Sequence, residues 1–130
     1  MQLATMQPGD IPVPAYLIQT DNGTNILIDS GFPLDFAANA PELDGGLRIE
    51  MSEDNFIVNR LSSIGLRPDD VHFLVCTHLD AEDAGGHRAS TDAELLMQGS
   101  HYEVTQQSDL PRFAALCEHW DYPALRYRLI

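Results

Sequence analysis

The run Val71-His72-Phe73-Leu74-Val75-Cys76 is apolar apart from one histidine. It is too short and too uniformly apolar for a surface helix, and it predicts a strand covered on both faces. Such a strand demands layers around it. Just upstream, SEDNFIVNRLSSIGL sets Phe56, Ile57, Leu61 and Ile64 at near-helical spacing. Ser52 is the expected N-cap, Glu53 and Asp54 fill the first turn, and Gly65 is the stop. An amphipathic helix leading into a buried strand predicts an α/β layered fold.

Further elements agree. Ala15 to Gln19 and Ile26 to Ile28 are apolar runs separated by Asp21-Asn22-Gly23, which predicts an antiparallel hairpin. The second run ends in Asp29-Ser30-Gly31-Phe32-Pro33, where glycine and proline stop the strand and leave Asp29 at its carboxyl end. From there to Gly46 the sequence reads as turn-rich. Ala93 to Gln98 reads as another short buried strand, SHYEVTQQ and PRFAALCEHW as helical pieces, and LRYRLI as an edge strand. Leu129-Ile130 closes an apolar run with no polar tail, an ending expected of a strand docked in a sheet or of a longer chain cut short. With no repeat, linker or low-complexity tract, residues 1–130 are expected to form one domain.

Charge narrows the partners. Twenty acidic side chains against 7 basic ones give a formal charge of -13, which repels phosphate backbones and argues against nucleic acid. The two cysteines, Cys76 and Cys117, form no C-x-x-C pair, so neither a disulfide framework nor a thiolate zinc cage is expected. The opening MQLATMQPGD lacks a basic and apolar leader, and no run reaches the ~18 apolar residues of a membrane span. A cytoplasmic protein without membrane partners is the expectation.

The chemistry concentrates after the buried strand, in CTHLDAEDAGGH. His78, Asp80, Glu82, Asp83 and His87 crowd imidazoles and carboxylates together, and such carboxylates need a cation or water to stay charged. The mixture suits zinc, manganese or iron, with carboxylates favouring the harder ions. Gly85-Gly86 would let the backbone turn tightly beside an ion. From the residues alone, a metal site and a solvated acidic loop both stand. His87 is either a surface residue or a group sharing an ion with Asp83 four residues before it. Asp29 either caps a turn or supports a metal ligand. Cys76 is expected in the core. Tyr102 and Phe113 are expected to pack in a core or interface, with an acyl-chain pocket as the other reading.

FLVCTHLDAEDAGGH resembles the metal-binding signature of the metallo-β-lactamase superfamily, T-H-x-H-x-D-H-x-G-G, matching at Thr77, His78, Gly85 and Gly86. NILIDSGFP resembles the strand ending in Asp-Thr/Ser-Gly, with Asp29 in the place of the aspartate that supports the metal centre. ELLMQGSHYEVTQQSDLPRFAAL resembles the following segment of the N-acyl homoserine lactonase-like branch. The resemblance implies the N-terminal half of an αββα sandwich and metal-assisted hydrolysis of a lactone or ester, with zinc as the family's metal.

Position by position, His78 matches the first histidine, Asp80 stands in place of the second, Glu82 in place of the aspartate and Asp83 in place of the last histidine. The resemblance makes these four the metal ligands, His78 and Asp80 for one ion, Glu82 and Asp83 for the other. Glu82 takes the proton-shuttle position. The substituted set favours iron, manganese or calcium over zinc. A half-sandwich exposes a sheet face and edge, so a complementing second half or a homo-oligomer is expected. The alternative is a non-catalytic half-domain that binds a metal or a partner.

Overall fold

The computed structural model describes residues 1–114 and 116–130. Among these the strands are β1 (Gln2–Gln7), β2 (Ile11–Pro14), β3 (Tyr16–Gln19), β4 (Asn25–Ile28), β5 (Arg48–Glu50), β6 (Phe73–Val75), β7 (Glu94–Met97) and β8 (Arg126–Leu129). The helices are α1 (Phe36–Asn39), α2 (Ile57–Ser63), α3 (Ala81–Ala84), α4 (Gly99–Gln106), α5 (Pro111–Ala114) and α6 (Cys117–Trp120). Ala115, within the predicted helical stretch PRFAALCEHW, lies outside the described residues.

The larger sheet has the order β3-β4-β6-β7-β8. The predicted hairpin is its antiparallel edge, in register from Tyr16↔Ile28 to Gln19↔Asn25. Gly23 takes the positive φ of +85° that its turn requires. The remaining pairs are parallel, so each connection must cross over the sheet, and helices supply the crossovers. β8 is the other edge, as LRYRLI predicts.

α2 packs Ile57 and Leu61 onto the face formed by Leu27, Leu74 and Leu95, all at most 1% exposed. Burying side chains of this size stabilises by roughly 1.5–3 kcal/mol each. The opposite face is different. Phe73 and Val75 are only half-buried, and Tyr16 and Ile18 beside them are exposed. The expectation of a strand covered on both faces therefore holds for one face only, because helical packing reaches only that side among the described residues.

The predicted helix also begins later than its cap suggests. Ser52 caps a separate 3-10 turn, Glu53–Asn55, where Asn55 Oδ1 accepts from the Ser52 N–H and hydroxyl at 2.9 Å each. α2 then starts at Ile57 and ends at Ser63, which leaves Ile64 outside it and 53% exposed. Gly65, at φ +81°, is the stop.

A smaller antiparallel sheet, β2-β1-β5, has no counterpart in the sequence reading. Pro12 and Pro14 sit on β2, an edge strand paired only with β1, where a missing N–H is tolerated. Its Ala4 and Val13 pack with Phe32 and Ala81, joining this sheet to the turn after β4 and to the start of α3. A third cluster gathers Cys76, Leu79, Met97, Phe113 and Trp120, with Tyr102 and Tyr127 against it. The Trp120 indole N–H donates to the Phe113 carbonyl at 3.3 Å. Among the described residues no helix is long and apolar enough to cross a membrane.

Candidate metal centre

The candidate site lies beyond the carboxyl ends of β4 and β6, where ligands of open α/β sheets bind. Asp29 follows β4 in a left-handed conformation, φ +60°. That turn aims its carboxylate at Thr77, two residues after the end of β6. Oδ1 accepts the Thr77 N–H at 2.9 Å and Oδ2 accepts the Thr77 hydroxyl at 2.8 Å. Burial pushes the Asp29 carboxyl up from its ordinary range, while the two Thr77 bonds and His78 pull it back. Asp29 thus fixes the backbone that presents His78.

The predicted acidic loop contains a single helical turn, α3, with Asp80 at its N-cap. Ser30 anchors that turn. The Ser30 N–H donates to the Asp83 carbonyl at 2.7 Å, and the Gly86 N–H donates to Ser30 Oγ at 3.1 Å. His87 is the other anchor, and its position corrects both readings made from sequence. It is fully buried, with Nδ1 at 2.6 Å from Ser30 Oγ, so it is neither a surface residue nor one of the groups that converge with Asp83. Burial lowers its pKa to about 3, so the ring is neutral. Its Nε2 has no partner among the described residues, and a proton there would be a buried unpaired donor. The least costly arrangement has Nδ1–H donating to Ser30 Oγ, whose hydroxyl donates to the Asp83 carbonyl at 3.1 Å.

Gly85 and Gly86 make the expected tight turn, with type I dihedrals of φ -64°, ψ -24° and φ -98°, ψ 3°, so a positive φ is not what calls for glycine here. What they provide is close approach. A Cβ on Gly86 would lie 2.6 Å from the Ser30 carbonyl oxygen, and one on Gly85 would lie 2.7 Å from that of Gly31.

Held this way, Asp80, Glu82 and Asp83 offer carboxylate oxygens that all lie within 4.8 Å of one another. Asp83 carries the strain of that crowding. Burial first, then the charges of Asp29, Glu82 and Asp80, push its carboxyl up to about 7. His78 stands apart from the three. It is exposed, with Nδ1 at 3.2 Å from the Thr77 hydroxyl and its ring edge-on to His101 at 5.6 Å. His101, on α4, accepts the Leu79 N–H at 3.3 Å through Nε2.

Arg112, on α5, completes the site. Its Nε donates to Asp80 Oδ1 at 2.6 Å and its terminal nitrogen to Oδ2 at 2.5 Å, a two-pronged ion pair. Neither His101 nor Arg112 carries a motif that would have singled it out in the sequence. Beside them lies a cavity of about 500 Å³, with Asp80, Glu82 and Arg112 at one side and Phe36, Leu43 and Leu116 among its apolar walls. Tyr102 and Phe113 pack in the Trp120 cluster instead, as their core reading expects.

The donor set fits a hard divalent cation. Converging carboxylates are oxygen ligands, and the raised Asp83 carboxyl is a charge that lacks compensation. The mixed imidazole–carboxylate arrangement that suits zinc is not assembled among the described residues.

Parallel strands with an acidic, glycine-backed turn at their carboxyl ends define a half-sandwich of the αββα type. Residues 8–101 match the metallo-beta-lactamase superfamily, and the chain belongs to that superfamily. An N-acyl homoserine lactonase of Bacillus sp is 35% identical over 115 residues, covering 82% of this chain and 45% of its own. N-acyl homoserine lactonase AiiA of Bacillus thuringiensis subsp. kurstaki is 31% identical over 128 residues, covering 92% and 50%. The crystal structure of a point mutant of B. thuringiensis AiiA with N-decanoyl-L-homoserine bound at the active site superposes with a TM-score of 0.77 at 29% identity, over 92% of this chain and 47% of that one. Rm3 metallo-beta-lactamase, at 22% identity and a TM-score of 0.54, shares the fold. The chain spans about half the length of the curated relatives it matches.

Proposed function

We propose that this chain supplies the carboxylate half of a lactonase-type metallohydrolase, acting on a lactone or ester that carries an apolar acyl group. The observation that carries this reading is the convergence of Asp80, Glu82 and Asp83 within 4.8 Å at the carboxyl ends of the parallel strands. N-acyl homoserine lactones are the substrate class that the lactonase relatives suggest. Glu82 and Asp83, with Asp80 and His78 as the remaining candidates, would hold the cation. Bound there, a divalent ion supplies Lewis-acid polarisation of the carbonyl and a more acidic water. In hydrolysis a water oxygen bonds to the acyl carbon, the ring C–O bond breaks, and Glu82, which borders the cavity, passes the proton to the leaving alkoxide. The apolar walls at Phe36, Leu43 and Leu116 suit the acyl chain and exclude water from it.

Two measurements test this. Elemental analysis after purification without chelator should find manganese, iron or zinc that a His78→Ala, Asp83→Ala double variant lacks. A chain extended over the full span of the lactonase relatives should open a homoserine lactone ring. Absence of metal and of turnover in both chains would overturn the proposal.

A non-catalytic cation- or partner-binding half-domain is the second reading. Two observations favour it: Asp80 is engaged by Arg112, and His78 does not join the carboxylates. Metal uptake without turnover in the extended chain would select it. A complementing half, from another chain or a second copy, would have the half-buried sheet face carrying Phe73 and Val75 to cover.

A further inference from the structure

We infer that Arg112 is a built-in cation on the Asp80 side of the carboxylate cluster, limiting the cluster to one divalent ion, held at Glu82 and Asp83, and weakening its grip on that ion. The inference rests on the cation-binding reading above and assigns its regulation to a residue of this chain.

The geometry is specific. Both oxygens of Asp80 are taken, one by Nε and one by a terminal nitrogen of the same guanidinium, at 2.6 and 2.5 Å. The Asp80 side chain is 12% exposed, so its charge is largely withdrawn from water and requires a partner. Arg112 meets that requirement and is itself held in place. Its guanidinium carbon lies 4.8 Å from the centre of the Phe113 ring, whose residue is anchored in the core. Asp44 and Glu82 are the other acids whose charges bear on it. The fork-shaped pairing suits a carboxylate better than a single ammonium would.

A metal at Asp80 would have to displace these bonds and then sit beside the displaced positive charge. His78, the residue that would share such an ion, turns its ring toward His101 instead. Glu82 and Asp83 remain free of this clamp, since no hydrogen bond to either side-chain carboxylate occurs among the described residues. One cation position is therefore filled by protein and one is left for metal. Arg112 acts here as a positioning residue, through Asp80.

Manganese titration by calorimetry tests this on three proteins: the wild-type chain, Arg112→Gln and Arg112→Lys. Circular dichroism confirms that the variants fold. Glutamine keeps much of the reach without the charge and should bind manganese at least tenfold more tightly, or take a second equivalent. Lysine restores the charge and should return binding toward the wild-type value of one weak equivalent, which a merely structural role of the side chain would not predict. Two equivalents in the wild type, or equal affinity in wild type and Arg112→Gln, would overturn the inference and leave the metal reading intact. Manganese binding by neither protein would overturn the metal reading, and the inference with it. Binding by Arg112→Gln alone would support the inference in its strongest form.

Discussion

At the scale of single residues, the site depends on groups that never touch a ligand. Gly86 sits where a Cβ would come within 2.6 Å of the Ser30 carbonyl and 2.8 Å of Ile57. Gly86→Ala should therefore destabilise the chain by about 1–3 kcal/mol, read from a urea unfolding midpoint. Asp29 accepts two hydrogen bonds from Thr77, one from the backbone. Asp29→Ala removes both acceptors and should lose about 1–3 kcal/mol in the same assay. His87 gives a pH signature. Its pKa in the fold is about 3, below the ordinary 6.5, because burial disfavours the charged ring. The unfolded chain takes up a proton below about pH 6.5 that the fold refuses. This contribution to stability is therefore complete above that pH and is lost as pH falls toward 3, at up to about 1.4 kcal/mol per pH unit. Replacing His87 by glutamine should flatten the dependence of unfolding free energy on pH across this window; an unchanged slope would contradict the assignment.

At the scale of elements, α3 is a single turn carrying charges that oppose one another. Asp83 titrates near 7 in the fold against an ordinary 3.8, because burial and neighbouring carboxylates disfavour its charged form. The sign is opposite to that of His87. Its contribution to stability is full below about pH 3.8 and is lost as pH rises through 7. Asp83→Asn should thus stabilise the cation-free chain at pH 8, gain little below pH 4, and bind manganese more weakly, as thermal melts and titration would show. The sequence made α3 legible as chemistry and concealed it as structure. Its residues matched a known signature, but their acidic composition read as a loop, and only the anchors at Ser30 and His87 fold it into a turn. The hairpin β3–β4 and the strands β6 and β7 were legible because apolar runs ended at turn residues. β1 and β2 were not, because Pro8, Gly9, Pro12 and Pro14 write a loop composition over a pairing that an edge strand tolerates. Arg112 lies 32 residues from Asp80, and nothing local to either announces the pair.

At the scale of the whole molecule, a formal charge of -13 on 130 residues sets a background against which each local contact works. Self-repulsion of that size is screened by salt. The melting temperature should rise as sodium chloride increases from about 10 mM to about 0.5 M, where the screening length falls well below 10 Å. A flat or falling response would show that specific ion pairs such as Arg128–Glu94 outweigh the background. The overall layering was readable from one helix and one strand, and the half-covered face followed from the half-sandwich resemblance, while the second sheet was not readable, since it depends on which segments meet across long separations. One further property follows from the burial of Trp120. It is the sole tryptophan of the chain and is 3% exposed. Its indole N–H is tied to the Phe113 carbonyl, one residue from Arg112. The molecule therefore carries an intrinsic fluorophore next to the Arg112–Asp80 pair: release of Arg112 by an Asp80→Asn substitution should register as a change in emission, with no label attached.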